Sequence, residues 1–133
     1  MSAKKYRLIG LTLCLLGGCA ESSTGENLSD FRVISRGQDG GGDFCSDFRI
    51  TAAQAAWLFE RATIVTAAQQ HDRFNYLPCW VRGTVQGGGG TWQWEVRAGG
   101  TARLVAPDGA VRLLGCDDCE DLLRGNEEPP PFK

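Results

Sequence analysis

Cys116-Asp117-Asp118-Cys119 is the motif in this chain with the most chemical potential. A redox pair at this spacing needs a thiolate stabilised by a helix N-terminus or by nearby positive charge. Here the two intervening residues are carboxylates, which push a thiol pKa up, and no βαβ unit surrounds the motif. It therefore reads as a structural disulfide. Cys45 and Cys79 complete a set of four that could in principle form an all-cysteine zinc site. Structural zinc uses two close pairs, however, and these two stand far apart, so no metal ligand is assigned. His71-Asp72 is the only histidine beside a carboxylate. On a polar connection it reads as a solvated residue, or as one favoured by the C-terminal end of the helix before it. No Ser-His-Asp pattern, HExxH or phosphate-binding glycine loop is present. The expectation is a non-enzyme with no catalytic residue and no cofactor.

The elements that carry these residues follow from periodicity. Asp47–Ile50 alternates and suits a short strand. Thr51-Ala52-Ala53-Gln54 then fits a capping box, opening a helix expected to run to about Gln70. Ala55, Leu58, Phe59, Ala62 and Val65 form its core stripe, while Trp57 and Ile64 project from another flank. A polar connection over 69–78 leads to four period-two strands: Cys79–Gln86, Thr91–Arg97, Thr101–Ala106 and Ala110–Gly115. Glycine-bearing turns join them.

Register can be read from which side chains would meet, because a one-residue slip turns every side chain over. A loop at Gly87–Gly90 sets Val85 against Trp92, Gly83 against Trp94, Arg82 against Glu95 and Trp80 against Arg97. A three-residue loop with left-handed Gly100 sets Trp94 against Leu104 and Glu95 against Arg103. An Asp108-Gly109 turn sets Leu104 against Leu113. Val81, Val85, Trp92, Trp94, Val96, Leu104, Val111 and Leu113 would then face the helix. Trp80, Arg82, Arg97, Arg103 and Arg112 would face outward, with Glu95 their one counter-charge. Trp and Arg are common interface hot spots. That face, and the helix flank at Trp57 and Ile64, are the two candidate binding surfaces.

The N-terminus supplies a location. Lys4, Lys5 and Arg7 precede an apolar run, Leu8–Leu16, too short to span a bilayer as a helix. Leu16-Gly17-Gly18-Cys19 resembles the lipobox of bacterial lipoproteins. The resemblance implies cleavage before Cys19, a diacylglycerol on its thiol and acylation of its amino group. Ala20, rather than Asp, follows the cysteine, and in enterobacterial lipoproteins that pattern implies the outer membrane. Of 133 residues, 115 would remain, with 11 Lys+Arg against 16 Asp+Glu and a formal charge of −5. Such a chain is not a general nucleic-acid binder.

Four exported cysteines favour two disulfides and allow three pairings. Cys45–Cys79 and Cys116–Cys119 are expected, because the second closes a very small loop and Cys79 begins a strand within reach of Cys45. The organisation read from the chain is a signal peptide over 1–18, a flexible tether over 19–43, a folded domain over 44–124 and a Pro-rich tail over 125–133. Within the tether, Phe31–Ile34 is apolar enough to dock on the domain.

The order of strand, one long helix and four-stranded antiparallel meander is an α+β layout similar to the cystatin-like roll. The Gln-x-Val-x-Gly motif of cystatins is absent, so protease inhibition does not carry over. Phe44-Cys45, Leu77-Pro78-Cys79, Trp92-Gln93-Trp94-Glu95-Val96, Gly99-Gly100 and Cys116-x-x-Cys119 together resemble a group of small cysteine-containing bacterial lipoproteins of uncharacterised function. The expectation is an outer-membrane-anchored periplasmic module that binds an envelope or secreted protein, such as an immunity or adaptor lipoprotein. The alternative is a thiol-redox or metal-binding protein using Cys45, Cys79, Cys116 and Cys119.

Overall fold

The computed structural model describes residues 26–40 and 45–123. Strand β1 spans Ser29–Gln38, helix α1 Ala52–Arg61, strand β2 Thr63–Ile64 and helix α2 Ala67–Arg73. Strands β3 (Cys79–Gly87), β4 (Gly90–Arg97), β5 (Thr101–Val105) and β6 (Val111–Gly115) follow, then a single turn, α3 (Glu120–Leu123). All six strands form one antiparallel sheet in the order β1-β3-β4-β5-β6-β2.

The expected long helix does not exist, and the one-helix cystatin-like layout falls with it. Thr63-Ile64-Val65-Thr66 is an unbroken run of four β-branched residues, which lose χ1 freedom in a helix and suit a strand. α1 accordingly stops at an extended Ala62, and Thr63 and Ile64 pair with Gly115 and Leu114 on the edge of β6. A second helix then starts from its own capping box. Thr66 accepts from the Gln69 amide and the Gln69 side chain accepts from the Thr66 amide, as Thr51 and Gln54 do for α1. The tetrapeptide Thr-Ala-Ala-Gln occurs at both starts.

Two other boundaries differ from the sequence reading. Residues 29–38, placed by composition in the tether, form β1 and pair with β3 along its length. Asp47–Ile50 is irregular rather than a strand, though Phe48 and Ile50 are buried. The expected leader over 1–18, the lipidation site Cys19 and the tail over 125–133 lie outside the described residues.

One sheet face holds the core. Val81, Val85, Trp92, Trp94, Val96, Ala102, Leu104 and Leu114 are buried there with Ala55, Leu58 and Phe59 of α1. Phe31 of β1, Phe59 and Trp94 close a ring triangle with centroid separations of 5.7, 6.1 and 6.3 Å. Such aromatic pairs add to the stability given by buried area, and this triangle ties β1 and α1 to the middle of the sheet. Gly83 makes the close approach possible: a Cβ there would run into the Arg32 carbonyl oxygen and the Trp94 ring.

The β3–β4 and β4–β5 registers are those expected, with Gly100 at φ 90°. The β5–β6 register is shifted by one residue, pairing Leu104 with Arg112 and Arg103 with Leu113. The turn explains the shift. Pro107 and Asp108 occupy its centre, Gly109 follows at φ 90°, and the Asp108 carboxylate accepts from the Ala110 amide. Proline has a preset φ and no N–H to give the ladder, so it sits in the loop and lengthens it by one residue. Leu113 and Val111 therefore move to the outer face, and Arg112 moves to the core face.

The chain crosses from one sheet face to the other between its two longer helices. α1 covers the core face, β2 lies along the edge, and α2 sits over the outer face of β5 and β6. Gln70 anchors α2 by donating from Nε2 to the carbonyls of Ala102 (3.3 Å) and Leu114 (3.1 Å).

Candidate functional site

The outer face carries a chain of alternating charges. Glu95, on β4, has a side chain only 15% exposed and accepts from Arg82 Nε at 2.6 Å and from Arg97 Nε at 2.9 Å. Arg97 Nη1 also reaches Asp39 at 2.8 Å and the Leu77 carbonyl at 3.3 Å. The Tyr76 hydroxyl donates to the same Asp39 carboxylate, and the Arg97 guanidinium lies 4.8 Å from the Tyr76 ring centre. The Tyr76 hydroxyl first, and then Arg97, holds the Asp39 carboxyl below the usual carboxylate range. The same hydrogen bond pushes the Tyr76 phenol up, because ionisation would put two negative charges together.

These contacts sort the expected surface residues. Arg82 is half exposed and stacks over Trp80 at 3.7 Å, so Trp80 packs against a guanidinium of its own strand and not against that of Arg97, its partner across the ladder. Arg97 is only 13% exposed and is a brace inside the network, not a free surface cation. Arg112 is not on this face. It lies 5.0 Å over the Trp92 ring and pairs with Glu26 at 3.1 Å on the core side. Arg103 is exposed and stands across the ladder from Glu95, and its side chain has no ion pair or hydrogen bond among the described residues. The +3 of Arg82, Arg97 and Arg103 against the −2 of Glu95 and Asp39 leaves one excess positive charge, and it sits at Arg103.

Next to Arg103 the sheet and α2 enclose a groove of about 240 Å³. Ala67 and Phe74 form its helix side, Thr101 and Leu113 its sheet side, and Tyr76 with Arg97 one end. On its other side Arg103 also lines a shallow polar depression with Arg82, Gln93 and Glu95. Arg103, without a side-chain partner among the described residues, thus stands between an apolar groove and a polar shelf.

The second expected surface does not form as one patch. Trp57 stays on α1, partly buried, with Arg61 stacked 4.2 Å over it, whereas Ile64 is on β2 and 51% exposed. Arg61 in turn pairs with Asp118 at 3.3 Å, and Arg73 of α2 pairs with Asp117 at 2.8 Å. The two aspartates of the Cys-x-x-Cys turn therefore each hold the last turn of a different helix.

All four described cysteines are in disulfides, Cys45–Cys79 and Cys116–Cys119, with Cα separations of 5.3 and 5.5 Å. Cys116, Asp118 and Cys119 place potential metal-ligand atoms close together, but the two sulfurs are bonded to each other. No described helix is long and apolar enough to cross a membrane.

Sequence reasoning missed Asp39, Tyr76 and Gln70. Asp39 falls in the segment that composition assigns to the tether, Tyr76 in the polar connection over 69–78, and Gln70 at the end of the expected long helix. The second Thr-Ala-Ala-Gln box was the signal that could have freed Gln70 from that helix. Compared with protein-family models, with curated proteins and with solved structures, the chain matches none.

Proposed function

We propose that this chain is an outer-membrane-anchored periplasmic lipoprotein, held by lipid on Cys19, that acts as a non-catalytic module capturing an envelope or secreted protein. An immunity lipoprotein and an envelope adaptor are the two forms this role takes. The location rests on the resemblance of Leu16-Gly17-Gly18-Cys19 to a lipobox. The binding role rests on the outer face, where Arg82 and Arg97 are neutralised in place and Arg103 is left exposed without a carboxylate among the described residues. A fixed array ending in one unsatisfied cation favours an acidic partner and steers its approach.

In-cell photo-crosslinking tests the binding role. A photoreactive residue at the exposed Gln93 should give a discrete crosslinked product, and Arg103→Gln should abolish it without lowering the melting temperature. A product that survives Arg103→Gln refutes the surface. The anchor is tested separately: mass spectrometry should find an acylated Cys19, and Cys19→Ser should release the protein from membranes. An unmodified Cys19 refutes the anchor.

A further inference from the structure

We infer that the groove under α2 is the anchor point of the protein partner, receiving one of its apolar side chains while an adjacent carboxylate of that partner pairs with Arg103. The inference rests on the outer face being the binding surface and goes on to name the chemistry it selects.

The groove is suited to a side chain rather than to solvent. Ala67, Phe74, Leu113 and the ring of Tyr76 supply carbon to its walls, and its volume of about 240 Å³ is of side-chain size. Its floor is fixed. Gln70 ties α2 to two sheet carbonyls, and Phe74 packs over Gly115, where a Cβ would collide with the ring. An apolar group entering it therefore meets a preformed surface, which limits the ordering cost of binding.

The charge at its mouth selects an acid. Glu95 and Arg97 at the groove's edge neutralise each other, and Arg97 is shared with Asp39. Arg103 borders the groove without a counter-ion among the described residues, and its planar guanidinium can take a carboxylate through two hydrogen bonds. A neutral apolar group would gain the groove but leave Arg103 unused. A basic one would be repelled.

The test uses the full disulfide-bonded chain, labelled with nitrogen-15, and two small probes of equal shape: 4-phenylbutyrate and 4-phenylbutanol. The acid should shift amide signals of Ala67–Phe74, Thr101–Arg103 and Leu113 and should bind about tenfold more tightly than the alcohol, the size expected for one charge-assisted contact. Arg103→Gln should bring the acid down to the alcohol and leave the alcohol unchanged, which loss of structure would not do. Equal binding of the two probes to the wild-type protein, shifts confined to other elements, or no shifts at all would each overturn the inference. So would shifts that depend on protein concentration without probe, which would assign the groove to a second copy of the chain. No partner is needed for this experiment. An Arg103-dependent crosslink with no probe binding would therefore remove the groove and leave the binding face intact.

Discussion

Trp80 and Arg97 are directly opposed across β3 and β4, yet their side chains part company. Arg97 turns to Glu95, Asp39 and Tyr76, while Trp80 takes the guanidinium of Arg82 from its own strand. Arg82 pairs with Glu95, its own partner across the ladder, whereas the position of Arg97 opposite Trp80 does not decide which charge Arg97 serves. Here the nearest carboxylates decide.

Arg97 and Arg103 should respond oppositely to truncation. Arg97→Ala strips the partly buried Glu95 of one cation, for a loss of about 2–3 kcal/mol by chemical denaturation, and it also frees the Asp39 carboxylate. Arg103→Ala removes an exposed side chain with no partner among the described residues and should stay within about 0.5 kcal/mol. Equal losses would contradict the network.

Tyr76→Phe should raise the Asp39 carboxyl pKa toward its ordinary value, read by carbon-13 titration. The wild-type carboxyl is depressed, first by the Tyr76 hydroxyl and then by Arg97. Its contribution to stability is present above the unfolded-state value and is lost as pH falls through the folded one. The Tyr76 phenol is raised, so its contribution is present below the ordinary phenol value and lost as pH rises through the folded one. Tyr76→Phe should therefore also remove a loss of stability on the alkaline side. A carboxyl titration that does not move would show that the hydroxyl does not hold Asp39.

Gly83→Ala should be among the most damaging single changes in the domain. The added methyl meets the Arg32 carbonyl oxygen and the Trp94 ring, and neither is the end of a flexible side chain. β1 has to move away from β3, which opens the Phe31–Phe59–Trp94 triangle. A destabilisation above about 3 kcal/mol is expected, with amide exchange rising first along β1. Unchanged protection of β1 would contradict the packing.

The two disulfides should differ in weight. Cys45 and Cys79 are 34 residues apart and Cys116 and Cys119 only 3. Chain-entropy arguments give about 4 kcal/mol for the first loop and about 2 kcal/mol for the second. The Cys45→Ser, Cys79→Ser pair of changes should therefore lower stability more than Cys116→Ser with Cys119→Ser. The second pair should also loosen the last turns of α1 and α2, because Asp117 and Asp118 hold Arg73 and Arg61 from the closed turn. Equal stability losses would show that loop length does not set the contribution here.

Much of the sheet is legible in the residues themselves. The β3–β4 and β4–β5 registers follow from which side chains can face each other and from glycines that permit tight turns, and both are decided within a few residues of the loop. The start of α1 is equally local, written in Thr51 and Gln54. Where the deciding residues were local but misread, the signal was still there: Pro107 lengthens the last turn, and Thr63–Thr66 with a second capping box divides the helix.

What only the tertiary structure decided are the pairings between distant segments. β1 joins β3 because Gly83 lets the Arg32 backbone approach and Phe31 reaches Phe59 and Trp94, and no composition argument on residues 29–38 contains those neighbours. Arg97 becomes a brace because Asp39, 58 residues away, arrives beside it. Arg103 is left without a counter-ion among the described residues for the same reason: Glu95, opposite it, is taken by Arg82 and Arg97. Charge is spread along the chain locally, but which charges cancel depends on the distances that folding sets between remote residues, and Coulomb attraction acts on those distances.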